Sequence, residues 1–110
     1  MTATSLASLA AMHCRAGAPK LSAQELAGMQ ALLVGWHVGS ERIDKTFRFA
    51  DYHQTMAFVN AVAYVAHRED HHPDLGVHYS RCDVAWSTHD AGGVTLNDCI
   101  CAAKVECLTT

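Results

Sequence analysis

No two of the five cysteines, Cys14, Cys82, Cys99, Cys101 and Cys107, make the CxxC pair of a zinc ribbon or a dithiol redox motif, and an odd number does not close into a disulfide framework. A reducing, cytoplasmic setting is the expectation. Basic residues are few as well. Eight Lys and Arg stand against eleven Asp and Glu, for a formal net charge of −3, and they are spread along the chain, so the basic patch that phosphate recognition needs is missing. No direct nucleic-acid contact is expected. No apolar run reaches the length that spans a bilayer, so no membrane role is expected either. There is no internal repeat beyond the hairpins and no low-complexity linker. The first 20 residues, MTATSLASLAAMHCRAGAPK, hold no acid and lack the charged start of a secretory signal. They read as a flexible tail, residues 1–20, ahead of a single domain, residues 21–110.

What is present is globular: half of the 110 residues are apolar and 17% are charged, enough for one modest core. Ser22 followed by Glu25 makes a capping box for a helix over Ala23 to Leu33, with Leu26, Met29, Leu32 and Leu33 at helical spacing. Gly35 ends it. A strand over Trp36 to Val38, a turn, and a strand over Ile43 to Ala50 follow; Ile43, Lys45, Phe47 and Phe49 alternate with Asp44, Thr46 and Arg48, the pattern of a half-buried sheet. Asp51 caps a long helix over Tyr52 to Glu69, with Met56, Val59, Val62, Ala63 and Ala66 as its apolar stripe. A second hairpin is predicted over Leu75 to Tyr79 and Cys82 to Thr88, and Thr95 with Asp98 boxes a last helix, Leu96 to Leu108. The fold class expected is α+β: a four-stranded antiparallel sheet with three helices packed on one face, in the order α-β-β-α-β-β-α. The uncovered face is a place for self-association.

Five of the eight histidines fall between His67 and His89, among them the step His71-His72-Pro73 and the cluster Ser87-Thr88-His89. Pro73 keeps His72 out of helical conformation, so the long helix ends by delivering the pair to the sheet. Imidazoles gathered this densely point to proton transfer near neutral pH or to metal binding.

At these residues the chain resembles the pterin-4a-carbinolamine dehydratase (4a-hydroxytetrahydrobiopterin dehydratase) family. His71-His72-Pro73, Tyr79, His89 and Asp98 match its signature, and the likeness extends from Leu21 to about Leu108 through Gly35-Trp36, Lys45 to Phe49 and Ser87-Thr88-His89. The resemblance implies a cytosolic hydro-lyase that removes water from a 4a-hydroxytetrahydropterin to give the quinonoid dihydropterin, in pterin recycling for aromatic amino-acid hydroxylation. It implies a homodimer or homotetramer, and no cofactor or metal is expected. Carried over by position, His71, His72 and His89 are the catalytic candidates, with His71 and His89 as the acid-base pair and His72 orienting the pterin. Pro73, Thr88, Asp90 and Ala91 join them in lining the substrate site. Asp98 belongs to the signature and also suits the first turn of a helix, where a carboxylate is favoured. The chain departs from familiar members at His67, where many have Glu, at Ala91 in place of Cys, and at Leu75 in place of an aromatic residue.

Plainer readings stand beside these. His13, His37 and His53 read as surface residues and His78 as the solvent side of a strand, while Trp36 and Trp86 read as core or interface aromatics. A metal-binding module would use His67 and His71, four apart on one helix face, with His72, His78 or His89, although HExxH is absent. A dimerisation or coactivator protein would act through the open sheet face.

Overall fold

Alternation along Ile43–Arg48 puts Ile43, Lys45 and Phe47 on one side of a strand and Asp44, Thr46 and Arg48 on the other, and the computed structural model, which describes residues 3–109, builds its sheet on that division. This strand, β2 (Ile43–Arg48), pairs antiparallel with β1 (His37–Val38) and β4 (Arg81–Trp86), and β4 pairs antiparallel with β3 (Asp74–Val77). The order is β1-β2-β4-β3. Register sets Ile43 opposite Trp86, Lys45 opposite Val84 and Phe47 opposite Cys82, so their side chains share the inner face. The outer face is polar: the Thr46 hydroxyl donates to Asp83 at 2.8 Å, and that bond, with the neighbouring Arg81 and His78, holds the Asp83 carboxyl below its usual range.

The first hairpin is shorter than the sequence suggests, Trp36 turning inward before β1 and Phe49 continuing past β2 into a loop. A helix over Ala23–Leu32 opens under the Ser22–Glu25 box, in which Ser22 Oγ accepts from the Glu25 amide at 3.1 Å and Glu25 returns the bond at 2.9 Å. The long helix runs Tyr52–Glu69, as predicted, from an Asp51 cap that accepts from the Gln54 amide at 2.8 Å. Its buried face is Thr55, Phe58, Val62, Val65 and Ala66. The predicted stripe is therefore displaced: Val62 and Ala66 hold, Met56 and Val59 are half-buried, and Ala63 is exposed. Thr55 decides the rotation, because its hydroxyl lies 2.9 Å from both the Asp51 and Tyr79 carbonyls, which lets a polar side chain serve as core. Trp86, Ile43 and Val84 are fully buried beneath these helices, each contributing roughly 1.5–3 kcal/mol by leaving water.

The last helix, Leu96–Cys107, is buried along Asp98 to Ala103 and at Val105, which covers every side of it. A helix apolar all round needs cover on both faces. The stretch read as a flexible tail supplies it: Leu6–Ala10 is a short helix capped by Ser5, its Leu9 is fully buried, and Lys104 Nζ reaches the Ala10 carbonyl at 2.6 Å. In chain order the helices are α1 (Leu6–Ala10), α2 (Ala23–Leu32), α3 (Tyr52–Glu69) and α4 (Leu96–Cys107). Helices α2, α3 and α4 give the expected layer, and α1 packs on α4. Residues 3–20 are thus part of the folded body; Met1 and Thr2, also in the expected tail, lie outside the described residues. Ser8 in place of Glu or Gln at the third helical position hid the cap.

Between β4 and α4 the chain makes one 3-10 turn over His89–Ala91, closed by Gly92 at φ 77°. The loop is stitched to its surroundings by the bonds from the Val94 amide to Ser40 and from the Leu21 amide to Val94, each 2.9 Å. Gly93 is required there: a Cβ would stand 2.5 Å from the Ser40 carbonyl oxygen.

Candidate active site

The ends of three elements meet at one corner of the sheet. Helix α3 stops at Asp70, which adopts the left-handed conformation (φ 50°, ψ 44°), and the His71 amide returns to the Ala66 carbonyl at 3.1 Å. An Asp tolerates this conformation better than most residues, and Pro73 prevents any continuation. His71 is therefore thrown out of the helix beside the last residue of β4. Its ring stacks on Trp86, with centroids 5.6 Å apart and planes 16° from parallel.

The third end is the first turn of α4. Asp98 is fully buried, and its Oδ1 lies 2.6 Å from His71 Nε2. Its Oδ2 accepts from the Thr88 hydroxyl at 2.8 Å and from the Thr95 amide at 2.9 Å. With the Thr88 proton on Asp98, the Thr95 hydroxyl, 3.0 Å away, is the donor to Thr88. Every contact of the carboxylate is thus one in which it accepts, and the helix N-terminus favours its negative charge. The cap and the histidine partner are the same residue, so α4 cannot be capped in this way without also presenting Asp98 to His71. Because Nε2 is engaged, Nδ1 is the His71 nitrogen left for exchange with a ligand.

His71 lines a cleft of about 570 Å³, within the size range of small-molecule sites. Thr88, Asp90 and Ala91, all predicted, share the wall with Asp70, Glu69 and Asn97. The other three predicted residues do not reach it. His72 is exposed, since adjacent side chains in extended chain diverge, and Pro73 is half-buried at the turn. His89 is exposed on the 3-10 turn and lines a second cleft of about 250 Å³ with Glu41, Ser87, Thr88, Gly92 and Gly93. Thr88 is common to both clefts. His67 is exposed on α3, and among the described residues no three His, Cys, Asp or Glu side chains gather as a metal site requires.

One further wall of the cleft is not marked in the sequence. Cys14 to Ala18, from the supposed tail, line the cleft as a strap. Glu69 and Asn97 fasten it: the Cys14 amide donates to Glu69 Oε1 at 2.7 Å, and Asn97 both accepts from the Arg15 amide at 3.0 Å and donates to its carbonyl at 2.7 Å. His13 Nδ1, read as a surface residue, lies 2.9 Å from Glu69 Oε2. Burial alone would raise the Glu69 pKa, but the Cys14 amide, His13 and Lys104 together hold it below the ordinary 4.5. No motif marks these anchors; the only hint is the all-round apolar α4, which calls for an additional element.

Residues 19–108 match the family model described as pterin 4 alpha carbinolamine dehydratase. A Stenotrophomonas maltophilia protein provisionally named pterin-4-alpha-carbinolamine dehydratase is 56% identical over 92 residues, covering 82% of this chain and 79% of its own length. A Nitrosospira multiformis protein with the same provisional name is 47% identical over 107 residues, covering 97% and 95%. Among solved structures, a transcriptional coactivator/pterin dehydratase from Brucella melitensis superposes with a TM-score of 0.78 at 31% identity, over 83% of this chain and 99% of that one.

Proposed function

Because this chain belongs to the pterin 4 alpha carbinolamine dehydratase family, we propose that it converts a 4a-hydroxytetrahydropterin to the quinonoid dihydropterin and water, by histidine acid-base catalysis at the corner of α3, β4 and α4. The observation that carries this reading is the His71–Asp98 pair, stacked on Trp86 and open to a cleft of about 570 Å³. Dehydration breaks the C4a–O bond, delivers a proton to the departing oxygen and removes one from a ring nitrogen. One site must then both give and take a proton near neutral pH. Asp98 fixes the orientation of His71 by holding Nε2, so Nδ1 can pass a proton to or from a ligand without the ring turning. His89, across Thr88, is the second acid-base group. Asp90 offers a carboxylate to the amino-pyrimidine edge of the pterin and Thr88 and Ala91 shape the wall, while His72 and Pro73, off the cleft, are assigned to the substrate by the family motif alone.

The protein acts in the cytoplasm as a homodimer or homotetramer assembled through its open sheet, in recycling of the pterin used by aromatic amino-acid hydroxylation. The Brucella neighbour is called a transcriptional coactivator as well as a pterin dehydratase, which favours a second reading, a coactivator that binds another protein through that face. A stable non-self partner captured without detectable dehydration would favour it. The deciding experiment is dehydration of chemically made 4a-hydroxytetrahydropterin, followed by ultraviolet absorbance. Turnover well above buffer, falling about a hundredfold or more in His71→Ala and in His89→Ala, is expected. No acceleration by correctly folded native protein would overturn the reading.

A further inference from the structure

Two thiols that the proposed chemistry does not use lie side by side where the strap meets α4. The sulfurs of Cys14 and Cys101 are 3.5 Å apart, although 87 positions separate them in the chain. Cys14 lines the cleft, is half-buried, and belongs to a segment that is neither helix nor strand; Cys101 is fully buried in α4, one turn beyond Asp98. We propose that Cys14 and Cys101 form a reversible dithiol–disulfide pair that latches the strap to α4, with a low-molecular-weight disulfide such as oxidised glutathione as the oxidant.

The geometry asks for little movement. A disulfide needs its sulfurs about 2.05 Å apart, so the gap closes by roughly 1.5 Å, which an irregular segment can absorb while α4 stays fixed. The order of events follows from access. The Cys14 thiolate attacks the external disulfide, forming a mixed disulfide and releasing one thiol; the Cys101 sulfur then attacks the Cys14 sulfur, forming the internal bond and releasing the second. The two cysteines lose two electrons and two protons, and the oxidant leaves as two thiols. Cys101 is the slow partner. Its contact with Cys14, then its burial and the nearby Glu69 and Asp98 charges, push its thiol well above the usual range, so little thiolate is available until the mixed disulfide draws it in. Cys99, buried on the same helix and pushed up to about 12 by burial and by Asp98, serves as the control.

Closure would tie one wall of the cleft covalently to the helix that carries Asp98, in a position that two hydrogen-bonding side chains, Glu69 and Asn97, hold reversibly. The proposal does not depend on the dehydratase reading, because its test reads a bond. Reduced full-length protein is equilibrated with mixtures of oxidised and reduced glutathione, the remaining thiols are alkylated, and intact mass and tryptic peptides are measured. The expected product is a chain lighter by two hydrogens, in which tryptic peptide 1–15 is joined to peptide 82–104 until reductant is added. The link should vanish in Cys14→Ala and Cys101→Ala and persist in Cys99→Ala. Glutathione adducts alone, or an internal disulfide that survives Cys14→Ala, would overturn the proposal. Cys14→Ala changes a half-buried loop position, so it decides the matter even if replacing the buried Cys101 disturbs folding.

Discussion

His71 and His89 come from one motif and line clefts that share Thr88, yet the fold treats them differently. His71 leaves a helix terminus, stacks on a fully buried indole and bonds a fully buried carboxylate. His89 stands exposed on a single 3-10 turn, with no side-chain hydrogen bond among the described residues. The first imidazole is aligned before any ligand arrives; the second is positioned only by the backbone of its loop, through Gly92, Gly93 and the Ser40 contact. Preorganisation and exposure are thus divided between the two residues that the proposed reaction needs, and a substrate would have to order only one of them.

The sharpest way to break this contrast is His71→Ala. Dehydration should fall by about a thousandfold, within the usual range for a lost acid-base group, and melting should drop because the buried Asp98 loses a donor. Asp98→Asn comes next. A turnover loss of about a hundredfold is expected with His71 still in place, along with about 1–3 kcal/mol of stability in denaturant titration, since both the cap and the Thr88 bond are disturbed. His89→Ala should lower turnover by a similar factor while leaving the melting temperature unchanged; a clear stability loss would show that the fold supports His89 after all. The smallest effect is that of pH on the strap. Glu69 has a lowered pKa when folded, so its hold on Cys14 is complete above the ordinary 4.5 and is lost as pH falls through the lower folded value. The Cys14 amide resonance should shift on acidification below about pH 4.5, and Glu69→Gln should abolish that titration.

Much of this corner is readable without coordinates. The Asp51 cap and Pro73 bound α3, the Thr95–Asp98 pair marks the start of α4, and the alternation from Ile43 to Phe47 assigns the inner face. Caps and alternation are local, so sequence carries them. The rotation of α3 is not local: Met56 and Val59 are as apolar as Val62 and Val65, and of the two carbonyls that receive the buried Thr55 hydroxyl, the one at Tyr79 comes from a distant part of the chain. The strap escapes for the same reason, because its anchors Glu69 and Asn97 are ordinary polar residues until the fold brings residue 14 to them. At the site, motif position names His71, Thr88, Asp90 and Ala91 on the cleft wall but does not separate them from His72, Pro73 and His89, which lie off it. Asp98 reads mainly as a cap, and spacing cannot show that one carboxylate serves both the start of α4 and the residue that follows the end of α3.

Trp86 adds one more consequence. The emission of an indole depends on what lies against it, and the chain has only two tryptophans, of which Trp36 bonds Glu106. With Trp36→Phe, the emission of Trp86 becomes an optical record of its stacking on His71. His71→Ala should change its intensity and wavelength, and a ligand that displaces the imidazole should do the same.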